Sequence, residues 1–202
     1  MMKNTIKHLI SSEIGSKQRE LIETAARLFF KHGFKRVTVE EICKTATVSK
    51  VTFYRYFSGK DALIEYITRL LGDKFVAEFA EIIDSDSSIK RKFDDIAILK
   101  QNFAANLGSE LRESIFRSPA VKEYTGEIEK QMMQKFESLM QREQAQGNIN
   151  PDVDIEKAMA FISRLNQLLS DDSFRGIYRD LNEMIVQVNE LLVMGLKSRD
   201  LS

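Results

Sequence analysis

The chain has 202 residues, 43% hydrophobic and 30% charged, with two prolines, nine glycines and the single cysteine Cys43. That composition can bury a core, which excludes a disordered chain, and one cysteine excludes an internal disulfide framework. The formal net charge of zero conceals an asymmetry, +7 over residues 1–60 and −7 over 61–202, which points to an anionic partner for the first third.

The amino terminus "MMKNTIKHLISSEIGS" lacks the apolar stretch of a secretory signal, and no apolar run approaches the roughly 18 to 20 residues that span a bilayer. A cytoplasmic protein with no membrane partner is expected. Ile6, Leu9, Ile10 and Ile14 have partial helical spacing, but residues 1–15 are expected to form a mobile tail. The first strong helix covers about 17–31, where Leu21, Ile22, Ala25, Ala26, Leu28 and Phe29 make one apolar stripe; Gly33 stands where a C-terminal cap belongs. Thr38 and Glu41 form a capping box that opens a second helix, with Ile42 and Ala46 inward. After "TVS" at 47–49 a third helix runs from Ser49 to about Phe57. Ser58 and Asp61 repeat the capping-box pattern and open a longer fourth helix through Leu63, Ile67, Leu71 and Phe75. Two short helices joined by three residues, behind a first helix, describe a helix-turn-helix unit.

"DSDSS" at 84–88 breaks the chain. A fifth helix follows with Phe93, Ile96, Ala97, Phe103 and Leu107 on one face, then a short sixth between Gly108 and Ser118. Pro119 suits the first position of a seventh, capped by Ser118 and striped by Val121, Tyr124, Ile128, Met132, Phe136, Leu139 and Met140. "QGNINPD" at 146–152 is a loop. Of the last two helices, one carries Ile155, Met159, Ile162, Leu165 and Leu169, and the other Ile177, Leu181, Ile185, Val188 and Leu192.

The stretch "SKVTFYRYFSGK" at 49–60 serves two faces. Phe53 and Phe57, four apart, belong to the core side. Lys50, Val51 and Tyr54 lie on another arc flanked by Thr52 and Tyr56, a set suited to a DNA groove. Lysine donates to guanine acceptors or phosphate, valine meets a thymine methyl, and hydroxyls bond phosphate oxygens. Lys60 and Thr38, at helix starts, could add to the anion-binding surface, although Thr38 and Ser49 could equally be caps alone. Arg55 lies away from Lys50.

The segment "LIETAARLFFKHGFKRVTVEEICKTATVSKVTFYRYFSGKDAL", residues 21–63, resembles the DNA-binding domain of the TetR family of bacterial transcriptional regulators. The resemblance implies an all-α protein of about nine helices: an extension at 1–15, a three-helix helix-turn-helix domain at 16–62, and a larger ligand-binding and dimerisation domain at 63–202. It implies DNA contacts from Thr38, Ser49, Lys50, Val51, Thr52, Tyr54, Tyr56 and Lys60. It also implies an effector pocket, for which Phe93, Phe103, Phe116, Tyr124, Met132, Phe136, Met159 and Phe161 are candidates. A homodimer would form through the last two helices, with Ile162, Leu165, Leu169, Leu181, Ile185, Val188 and Leu192 as candidates. Two departures stand out: Thr47 where the family usually has glycine in the turn, and Val51 where it often has glycine or alanine.

Competing chemistries find no footing in the sequence. His8 and His32 are isolated, Cys43 sits mid-helix, and there is no phosphate loop or nucleophile elbow, so no enzyme, cofactor or metal is expected. Asp152 and Asp154 read as helix caps after Pro151. The expectation is a homodimeric regulator, a repressor released from a palindromic double-stranded DNA operator by a small apolar or amphipathic effector. An activator or co-repressor-dependent regulator of the same fold, and a small-molecule-binding helical protein without DNA function, are the alternatives.

Overall fold

The computed structural model describes residues 6, 8–11, 13–107, 119–168 and 172–196, and every regular element among them is a helix. These residues divide into two units, one within 1–75 and 105–128 and the other within 76–104 and 129–202. The predicted sixth helix at 108–118 lies outside the described residues.

In the first unit, helix α1 (Ser16–His32) buries Leu21, Ile22, Ala25, Ala26, Leu28 and Phe29, the stripe its spacing predicts. It ends at Gly33, whose φ of 77° and ψ of 152° belong to a region essentially reserved for glycine, and whose N–H donates to Phe29 O at 2.9 Å. Helix α2 (Val39–Thr45) starts at Thr38, whose Oγ1 accepts from Glu41 N at 3.1 Å. Helix α3 (Lys50–Tyr56) starts the same way, with Ser49 Oγ accepting from Thr52 N at 3.1 Å. The three helices pack on one another around Ile42 and Phe53. Burying a side chain of that size contributes roughly 1.5–3 kcal/mol, so Phe53 anchors α3.

The link between α2 and α3 is a Schellman motif. Val48 N–H donates to Cys43 O at 2.9 Å and Thr47 N–H to Lys44 O at 3.3 Å, which places Thr47 at the left-handed position with φ of 53°. The departure noted in the sequence therefore falls on the residue whose backbone favours glycine most.

Helix α4 (Lys60–Asp84) begins one residue later than a Ser58 cap requires. Gly59 immediately precedes it, and the Gly59 carbonyl accepts from Leu63 N at 3.3 Å. The described residues of the amino-terminal extension, 6, 8–11 and 13–15, also depart from the expected mobile tail. Ile6 and Ile10 are buried, and the Arg19 guanidinium donates to Ser11 O at 2.8 Å and Ile10 O at 3.4 Å, so apolar burial and two carbonyl contacts hold them.

Helix α6 (Pro119–Ala145) lends its first turns to this unit. There Tyr124 OH donates to Asp73 Oδ1 at 2.6 Å and approaches Arg69 O at 2.9 Å, while the Arg69 guanidinium lies 4.5 Å from the ring centroid. Gly72 makes the approach possible: a Cβ there would stand 2.7 Å from Tyr124 OH and 2.9 Å from its Cε1. Burial, then the hydrogen bond to Asp73, holds the Tyr124 phenol well above its usual pKa.

The second unit contains α5 (Ile89–Leu107), the rest of α6, α7 (Ile155–Leu168), the short α8 (Asp172–Arg175) and α9 (Leu181–Leu196). Helix α6 ends in a second Schellman motif, with Asn148 N–H donating to Glu143 O at 2.9 Å, Gly147 N–H to Gln144 O at 3.0 Å, and Gly147 at φ of 80°. Asp154 caps α7 as expected, accepting from Lys157 N at 3.1 Å. Ile177, expected on the last helix, is exposed and precedes it, because Asp180 supplies the cap by accepting from Glu183 N at 2.9 Å. The buried Lys92 ammonium donates to Ile83 O at 2.9 Å, near the C-terminal end of α4, and lies 4.0 Å from the buried Glu143 carboxylate.

Candidate nucleic-acid interface

Capping fixes where α3 starts, the Phe53 anchor fixes which side faces in, and Lys50, Val51 and Tyr54 are left on the outer arc. Val51 is 79% exposed and Tyr54 57%, although both are large side chains that burial would favour. Lys50 Nζ sits 3.0 Å from Glu40 Oε2 on α2, and both side chains are wet. Tyr56 is half-buried at the edge of this surface, with the Arg55 guanidinium 5.9 Å from its ring centroid. Lys35, Arg36, Lys44 and Arg55 are exposed and add positive charge to the unit.

Not every predicted contact lies on that arc. Thr52 is only 7% exposed and its hydroxyl is 2.9 Å from Ser49 Oγ, so it faces the cap and the core. The reason is positional: three residues after the cap, it falls on the side that Phe53 turns inward. Lys60 is a second correction. Its ammonium donates to Phe34 O and Val37 O, both at 2.8 Å, and lies 4.3 Å from the Phe34 ring centroid, so it ties the start of α4 to the α1–α2 loop. Thr38 and Ser49 are exposed but act as caps. Glu40, which sequence reasoning passed over, reaches Lys50 across ten positions; only the packing of α2 on α3 reveals that contact. Burial pushes the Cys43 thiol above its usual pKa, the opposite of what a reactive thiolate needs.

The effector candidates are scattered. Phe93 and Phe136 are buried with centroids 5.3 Å apart, Met159 is buried, and Phe103 and Met132 are half-buried. Tyr124 is engaged with Asp73, Phe161 is 61% exposed on α7, and Phe116 lies outside the described residues. Among the described residues, a cavity of about 340 Å³ lies in the second unit, with Phe93, Ile89, Ile149, Val193 and Leu196 on its wall; Phe93 is its one member of the candidate set.

The dimer candidates also move. Ile162, Ile185 and Val188 are buried and Leu165 and Leu192 half-buried, because the periodic stripe meets the chain's own core. Leu181 opens α9, and Leu169 lies outside the described residues. The exposed apolar residues are others: Phe161 and Leu168 on α7, and Val186, Leu191 and Met194 on α9.

Among the described residues no helix is long and apolar enough to cross a membrane, and no cluster of His, Cys, Asp or Glu could hold a metal ion. Two capped helices, a tight link, a third helix behind them and an exposed Lys-Val-Tyr arc define a helix-turn-helix DNA-binding protein. The family model for bacterial regulatory proteins of the tetR family matches residues 21–67. The HTH-type transcriptional repressor KstR2 of Mycobacterium tuberculosis is 22% identical over 167 residues, spanning 76% of this chain and 79% of that one. The fatty acid degradation regulator FadR of Bacillus halodurans superposes with a TM-score of 0.63 at 21% identity, over 93% of this chain and 100% of that one. The structure of the ketosteroid transcriptional regulator KstR2 of M. tuberculosis gives 0.59 at 18% identity, over 94% and 100%. Residues 21–67 thus match the TetR-family DNA-binding domain, and the chain is a DNA-binding transcriptional regulator similar to members of that family.

Proposed function

We propose that the protein is a cytoplasmic homodimeric repressor that leaves a palindromic operator when a small apolar or amphipathic effector binds. The observation that carries the DNA reading to particular residues is the exposure of Val51 and Tyr54 beside Lys50 on α3, whose other side buries Thr52 and Phe53. Lys50 donates to guanine, Val51 meets a thymine methyl, and Tyr54 bonds phosphate. Two copies of α3 about 34 Å apart meet successive major grooves, which requires a dimer. The apolar residues exposed on α7 and α9 supply surface for it. Residues 16–62 read the operator, and 63–202 bind effector and dimerise.

The class of effector is supported by the phenylalanines and methionines of the second unit, and by similar proteins named as a fatty acid degradation regulator and a ketosteroid transcriptional regulator. Release requires the effector to prefer the conformation that DNA does not, and DNA then weakens effector binding by the same factor. Selection of genomic fragments by the purified protein yields the operator. Fatty acids and ketosteroids are then added as probes, with release of the bound duplex expected. A Tyr54→Ala variant that binds the selected duplex like the parent across a salt series would refute the contact assignment; probes that tighten binding would turn the repressor into a co-repressor-dependent regulator.

A further inference from the structure

We propose that Glu40 is a specificity-determining residue of the DNA interface: by holding Lys50 it keeps that ammonium off the phosphate backbone and directs it toward base edges. The inference rests on reading Lys50, Val51 and Tyr54 as the DNA surface. The contact, Lys50 Nζ to Glu40 Oε2 at 3.0 Å, joins α2 to α3, so the packing of the two helices sets it. Side-chain exposures of 55% for Lys50 and 74% for Glu40 leave the pair within reach of a duplex. Lys50 differs in this from Lys60, whose ammonium is engaged by backbone carbonyls, and from Arg55, which points at Thr52 Oγ1 at 3.5 Å.

An ammonium has three N–H donors. With one on Glu40, two remain, matching the O6 and N7 acceptors that guanine presents in the major groove. A phosphate contact is different, because it brings the negative phosphate oxygens up against the Glu40 carboxylate that holds the same ammonium, whereas the guanine edge is uncharged. Sequence-independent binding is built from phosphate contacts, so the pair weakens it more than it weakens operator binding.

The test uses the full chain as parent, Glu40→Gln, Lys50→Gln and the double variant. Each is titrated against a duplex of unrelated sequence and against the selected operator duplex across a potassium chloride series. Glu40→Gln is expected to bind the unrelated duplex about two- to fivefold tighter, the range an exposed ion pair supports. Its log-log salt slope should steepen by about one phosphate contact, and its ratio of operator to unrelated binding should fall. In the Lys50→Gln background the same Glu40 change should have less than about half that effect, since the released cation is gone. An equal effect in both backgrounds would show a bare charge acting without Lys50, and an unchanged ratio would remove the specificity role; either overturns the proposal. If Lys50→Gln binds both duplexes like the parent, the underlying reading of α3 is what fails.

Discussion

Replacing Thr47 by glycine isolates the backbone strain in the helix-turn-helix link. Thr47 holds φ at 53° in the left-handed position of a Schellman motif, and its side chain is exposed. A left-handed conformation costs an L-residue about 1–2 kcal/mol, and a β-branched side chain belongs at the upper end of that range. Glycine removes the strain but loses roughly 0.5–1 kcal/mol through its freer unfolded chain. The net expectation is a gain of about 0.5–1.5 kcal/mol, or a rise of roughly 1–6 °C in melting temperature for a chain of this size. The protein supplies its own control, because Gly147 occupies the same position in the motif that ends α6, with no atom within 4 Å of a Cβ placed there. Gly147→Thr should lose about what Thr47→Gly gains. Thermal and urea unfolding of both variants measure the pair. If Gly147→Thr destabilises while Thr47→Gly fails to stabilise, the Thr47 side chain makes a stabilising contact and the strain argument is wrong.

Lys60→Met should lower stability by about 1–3 kcal/mol, since it removes charge-assisted hydrogen bonds to two carbonyls of the α1–α2 loop. An unchanged melting temperature, with a DNA salt slope reduced by one contact, would restore Lys60 to the phosphate. Tyr124 titrates higher in the folded than in the unfolded chain, so the folded state binds more protons above about pH 10 and stability falls as pH rises beyond that value. Tyr124→Phe should flatten this alkaline decline in urea midpoints measured at several pH values; identical slopes would contradict the assignment. Leu191→Glu places a charge on the exposed apolar face of α9 and should yield a species of 23.3 kDa in place of twice that mass, with weakened operator binding, by light scattering and gel shift. A parent that is itself monomeric would remove the half-site argument.

The helix-turn-helix was legible because its determinants are local. A cap and the residue three positions on lie within one turn, as Thr38–Glu41 and Ser49–Thr52 do, and Phe53 and Phe57 share a face by periodicity alone. Contacts between distant positions were not legible. Nothing near Lys60 announces that Phe34 O and Val37 O converge on it, and nothing near Glu40 announces Lys50. The C-terminal stripes failed for another reason: periodicity shows which face of a helix is apolar, but not whether that face meets its own chain or a second copy. Ile162, Ile185 and Val188 turned out to be core, while Phe161, Leu191 and Met194 emerged as exposed only once the helices were packed.

The fit of Gly72 against Tyr124 bears on how this chain diverges from its relatives. A methyl group at 72 would overlap the phenol, so position 72 is closed to every larger residue for as long as position 124 keeps its tyrosine there. The two sites lie in different helices, 52 positions apart, yet the fit predicts that they are inherited as one character. An aligned sequence with alanine at 72 and tyrosine at 124 should be rare, and one with a smaller residue at 124 should tolerate a side chain at 72.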